Sequence, residues 1–172
     1  MTTLIEITAA METINTAAAT IPVDQVRHWL SSSDIEVMGA AYSFIMKPRF
    51  YRGIVPPLTL EEYKLFLLKY YERCFREDPV SDWASSRYSA GWDLANWLED
   101  LWKQGHQDVV REVKEWLAAL YQDADPSLRE CIVNATLEHV LSNRGIARLF
   151  NDWTLDPVLK AAYEDALPGR KI

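Results

Sequence analysis

Apolar residues recur every three or four positions along most of this chain, the 3.6-residue period of helices packed on one side. The pattern is densest from Leu60 to Phe75. Leu60, Tyr63, Phe66, Leu67, Tyr70 and Cys74 line one side, and Leu65, Leu68, Tyr71 and Phe75 carry apolar character nearly all round. That spread predicts a central helix, opened by a Thr59–Glu62 capping box and ended near Asp78-Pro79. Upstream, Val23, Val26, Trp29 and Leu30 predict a short helix beginning at Pro22. A Ser33–Glu36 capping pattern then predicts a helix through Ile45 that stops before Pro48.

The next helix, Ser85 to Gln104, holds Trp92, Trp97 and Trp102, and with Trp83 just before it the stretch contains four of the seven tryptophans. At about 100° per residue, Tyr88, Gly91, Trp92, Ala95, Leu98 and Trp102 share one face, widened by Leu94 and Leu101. That face is expected to be core, with Gly105 as the C-terminal cap. Trp97 falls away from it, among Asp93, Asn96 and Asp100.

Val109, Val110, Val113, Trp116, Leu117, Leu120 and Tyr121 mark a further helix. Asp125-Pro126 and Asp156-Pro157 each supply a cap followed by a first-turn proline, and Asn143 and Gly145 break the pattern between them. Short linkers imply antiparallel neighbours. The expectation is therefore all-α, a single multi-helix domain of about seven to eight helices over 21–167, with paired Asp-Pro starts compatible with HEAT-like stacking. Residues 1–20 read as a flexible or weakly helical segment and 168–172 as a tail.

Charge refines this picture. The net charge is -7, against binding to phosphate backbones or anionic membranes through bulk electrostatics. Residues 58–125 hold 14 acidic and eight basic side chains, nearly all of the excess, so a basic partner would be steered there. Lys47, Arg49, Phe50, Tyr51 and Arg52 form the one dense basic-aromatic cluster. Its charges are expected to pair with the acidic middle of the same chain rather than with nucleic acid. No apolar run approaches the roughly 18 residues of a membrane span, and the N-terminus lacks a secretory pattern. A cytoplasmic protein is expected.

Catalytic chemistry finds little material. His28, His106 and His139 lie far apart in sequence with no metal-ligand spacing, and no phosphate-cradling glycine motif occurs. Cys131 and His139, if on one helix, stand two turns apart. Cys74 and Cys131 read as reduced thiols, and carboxylate pairs such as Asp93 with Asp100 read as a solvated helix face. No enzyme activity, metal or cofactor is called for. Aromatic content of 12% leaves the tryptophan stretch as the feature with functional promise. Trp97 is either covered by a further helix layer or exposed inside its carboxylates as a partner anchor. The candidate partner-binding set is Asp82, Trp83, Asp93, Asn96, Trp97 and Asp100.

The runs SSRYSAGWDLANWLEDLW, CIVNATLEHVLSNRGIARLF and NDWTLDPVLKAAYEDAL resemble a family of small acidic all-helical bacterial proteins of unassigned function. Some of these are similar to immunity proteins that neutralise secreted toxins. The resemblance spans about residues 30 to 167 and carries no motif of known chemistry. It implies a bacterial cytoplasmic inhibitor that blocks a cognate toxin. Two other readings stay open: a small-molecule or enzymatic domain with a pocket among Tyr70, Tyr88, Trp92 and Trp102, and a structural helical-repeat adaptor.

Overall fold

A computed structural model describes residues 2–169 and is all-α. It has ten helices, eight of them seven residues or longer, and one two-stranded parallel ribbon among the described residues. No described helix is long and apolar enough to cross a membrane. Internal contacts divide the chain into two compact units, Met1–Ser86 and Arg87–Ile172. Of the expected tail, residues 170–172 lie outside the described residues.

The first unit opens with α1, Thr2–Thr16. Its threonines, poor helix formers, turn their hydroxyls onto the preceding turn: Thr13 donates to the Ala9 carbonyl and Thr16 to the Glu12 carbonyl. Ile7 and Ile14 are buried, and α1 packs against α3, so burial rather than propensity holds this segment helical. Strand β1, Ile21–Pro22, pairs in parallel with β2, Ile54–Val55, and leads into α2, Val23–Leu30. Helix α3, Ile35–Met46, is capped by Asp34, whose carboxylate accepts from the Glu36 amide. The expected Ser33 cap is thus displaced by one residue, because Asp34 is both the stronger acceptor and the residue in extended conformation.

After α4, Pro48–Tyr51, helix α5 spans Leu60–Glu77 and does begin with the Thr59–Glu62 capping box. Arg27 donates to the Glu62 carboxylate at 2.6 Å. That bond, with the Thr59 amide, pulls the Glu62 carboxyl down to about 2. Helix α5 is less enclosed than its composition suggests: Leu60 and Leu65 are exposed, while Phe66, Leu67, Tyr70, Tyr71, Cys74 and Phe75 are buried. Tyr42 of α3 stacks on Tyr70 at 4.6 Å and meets the Tyr71 hydroxyl at 3.0 Å. Tyr70 in turn donates to Ser85 Oγ and accepts from the Ser85 amide, fastening the segment after α5 to this core. Gly39 makes room for the same segment. A Cβ there would stand 2.6 Å from the Trp83 carbonyl carbon and 2.7 Å from the Ala84 nitrogen.

The second unit comprises α6, Arg87–Lys103, and α7, Gln107–Asp123, followed by a continuous rod, α8. The rod runs as Pro126–Cys131, a π-helical stretch Ile132–Leu137, and Glu138–Val140. Helix α9, Arg144–Leu149, a 3-10 turn Asn151–Leu155, and α10, Pro157–Ala166, complete it. The caps expected from sequence are present, with Asp125 accepting from Leu128 and Asp156 from Val158 and Leu159. Lys114 is buried but satisfied: its ammonium donates to the Leu149 carbonyl and the Asp152 carboxylate. Burial alone would lower the Lys114 ammonium; its carboxylate partners Asp152 and Glu115 outweigh that and raise it.

Candidate functional site: the outer face of α6

Helix α6 is the scaffold of the site. It closes with paired bonds in which the His106 amide donates to the Leu101 carbonyl and the Gly105 amide to the Trp102 carbonyl. Gly105 takes φ +83, the left-handed conformation such a cap needs. Its inner face is Ala90, Gly91, Leu94, Ala95, Trp97, Leu98 and Leu101, all buried. This face packs on α7 and on the π-helical stretch of α8. There the buried Thr136 hydroxyl donates to the Gly91 carbonyl at 2.9 Å. Trp102 lies at the edge of the core against Gly145, where a Cβ would be 2.9 Å from the indole Cε2. These contacts set the rotation of α6 about its axis.

That rotation corrects the sequence expectation. Trp97 is 7% exposed and belongs to the core, so it is not an anchor open to a partner. Trp92, expected inside, is 53% exposed, and Tyr88 is 44% exposed one turn earlier. Asn96 and Asp100 continue the same outer side as exposed polar residues, and Asp93 is half-buried beside them. The Trp92 ring meets the exposed His139 imidazole of α8 edge to face, with centroids 6.5 Å apart. Lys103 Nζ stands 3.8 Å from Glu99 and 3.9 Å from Asp100. Exposed pairs of this kind are weak, so the lysine is readily displaced by a stronger cation.

Asp82 and Trp83 belong to the first unit, and the other four candidate residues to the second. Asp82 is exposed and Trp83 half-buried. Ser81 Oγ accepts from the Trp83 and Ala84 amides and donates to Glu36, which makes this turn part of the first unit's framework. The site described here is therefore confined to α6 and its neighbour α8. It gains Tyr88 and Trp92, which the sequence reading placed in the core, gains His139, and loses Trp97.

Cys74 and Cys131 are both buried free thiols. Burial pushes the Cys74 thiol up to about 11, away from nucleophilic character at neutral pH. No group of three or more His, Cys, Asp or Glu capable of holding a metal ion occurs among the described residues. Arg49 donates to the Asn15 carbonyl at 2.8 Å, at the C-terminal end of α1. The acid partner expected for it is replaced by helix-end carbonyls, which also attract cations.

Fold and site together define a helical protein that presents one aromatic and acidic helix face on a rigid support. Comparison with protein-family models, with curated proteins and with solved structures finds no match to the chain.

Proposed function

We propose that the chain is a non-catalytic protein-binding module that docks its partner on the outer face of α6. Of the partners this face suits, a secreted toxin with a basic active cleft fits best, which would make the chain an immunity-type inhibitor acting in the bacterial cytoplasm. The observation that carries the reading is Trp92: a large indole, 53% exposed, held on a helix whose other side is locked in the core. Tryptophan is among the residue types most enriched at interface hot spots. Covering the exposed half of the ring removes about 100 Å² from water and contributes about 2–3 kcal/mol. Asp100 and Glu99 lend the face negative charge, which speeds the approach of a basic partner and orients it.

The test is capture from the native cell with wild type and Trp92→Ala, followed by mass spectrometry and kinetics on the captured protein. A single basic partner is expected, bound about 30-fold or more weaker by Trp92→Ala. Asp100→Lys should slow association and reduce its salt dependence. Equal capture by wild type and Trp92→Ala would overturn the assignment of this face.

A further inference from the structure

The first unit carries a surface of the opposite sign. No Asp or Glu occurs between Val37 and Leu60, whereas Lys47, Arg49 and Arg52 fall within six residues of one another. In a chain of net charge -7 this is an island of positive charge. All three cations are exposed. Arg49 is partly engaged by the α1 carbonyls, and Lys47 Nζ lies 5.6 Å over the Phe50 ring.

Apolar groups are exposed beside this charge. Met46 ends α3, Tyr51 ends α4, and Tyr63 sits in the first turns of α5. The three form one cluster: the Tyr63 hydroxyl meets Met46 Sδ at 2.9 Å, and the Tyr51 and Tyr63 rings meet edge to face at 6.0 Å. Met46 is exposed, and both tyrosines are half-buried. Leu60, 43% exposed, precedes Tyr63 by three residues on the same side of α5. The β1–β2 ribbon and the Arg49 bonds to α1 tie this corner to the rest of the unit, so the cluster is preformed.

We propose that Met46, Tyr51, Leu60 and Tyr63, flanked by Lys47 and Arg52, form a second docking surface for an acidic, amphipathic segment of a protein partner. Each half of the surface selects one half of that ligand. The cations favour carboxylates at its edges, and the exposed methionine, leucine and tyrosine rings favour aliphatic or aromatic side chains at its centre. Single-stranded nucleic acid is held along a groove of clustered cations, and only three stand here in a chain of net charge -7. Recruitment to anionic lipid typically draws on four to eight clustered cations, more than the three present. A peptide carrying both acid and apolar groups uses everything the surface displays.

The proposal is independent of the α6 face and is tested separately. Full-length protein is titrated into a fluorescein-labelled acidic amphipathic helical peptide of about four turns, built from Glu and Leu. Parallel arms use the same peptide with Ser in place of Leu, oligothymidine, and vesicles of phosphatidylserine and phosphatidylcholine. Saturable binding of the Glu/Leu peptide is expected, weakening with salt. Lys47→Glu with Arg52→Glu, and separately Met46→Ser with Leu60→Ser, should each weaken it by about tenfold or more. Trp92→Ala should leave it unchanged. Circular dichroism confirms that each variant is folded, and the two double variants alter different groups, so a folding defect in one leaves the other informative. The proposal is overturned by absence of saturable binding to the Glu/Leu peptide, by equal binding of the Ser peptide, or by affinity that survives the charge reversal. Tighter binding of oligothymidine or vesicles through Lys47 and Arg52 would overturn it equally.

Discussion

The rotation of α6 makes a quantitative demand on two tryptophans five residues apart. Trp97 is 7% exposed and Trp92 is 53% exposed. A tryptophan side chain can bury about 150–250 Å², so truncating Trp97 to alanine gives up roughly 200 Å² of buried surface. At about 25 cal/mol per Å² this amounts to about 5 kcal/mol, near the ~3–5 kcal/mol seen for large aromatic truncations in cores. Trp92→Ala gives up about half that area at a site that leaves no enclosed cavity, and should cost about 2–3 kcal/mol. Against a total stability of about 5–15 kcal/mol, the first change brings the protein close to unfolding and the second does not. Urea unfolding followed by far-ultraviolet circular dichroism reads both, with Trp97→Phe retaining most of the lost stability. If Trp92→Ala proves as costly as Trp97→Ala, then Trp92 is the core residue, and the outer face loses its anchor.

Two further outcomes are expected. Gly39→Ala sets helix propensity against packing: propensity alone predicts a gain of up to about 1 kcal/mol, but the new Cβ meets main chain of Trp83 and Ala84, which cannot swing aside. A net loss of about 1–3 kcal/mol in urea unfolding is expected, and a gain would refute the close approach. For Cys74, burial raises the folded thiol from its ordinary value of 9.0 to about 11. Its contribution to stability is therefore complete below pH 9 and is lost as pH rises toward 11, because the unfolded chain ionises first. Cys74→Ala should flatten that part of the stability profile, and a thiol reagent at pH 8 should label Cys74 only after denaturant is added. Rapid labelling of native protein would contradict its burial.

Helix positions were legible in the sequence wherever an end had its own chemistry. Thr59, Asp125 and Asp156 each cap the helix they announce, and Gly105 ends α6 as its φ freedom requires. Asp34 displaced Ser33 because two adjacent residues competed for one role and only the local backbone decides between them. The helix α1 was less legible, since its threonines weaken local propensity and the burial of Ile7 and Ile14 against α3 is a tertiary contact. The same limit applied to Arg49. Its partner is the end of α1, main-chain carbonyls that leave no mark in composition.

Asp93, Asn96 and Asp100 of the candidate site were legible in the sequence, but Tyr88 and Trp92 were not, for a related reason, one of angle rather than of residue type. Trp92 and Trp97 lie about 140° apart round α6, and the hydrophobic pattern counts Trp92 with the core arc and sets Trp97 outside it, the reverse of what the structure shows. The observed inner face is centred near Leu94 and Leu98, roughly 100° from the arc suggested by Tyr88, Trp92 and Trp102. What turns the helix is small. Ala90, Gly91 and Ala95 face inward, where they let the π-helical stretch of α8 come close enough for Thr136 to reach the Gly91 carbonyl. Small residues carry little weight in an amphipathic pattern, yet here they set which large ones remain for solvent. With its small residues committed to α8, the helix covers Trp97 and leaves Trp92 outside, and an indole on that outer face is what a partner would find.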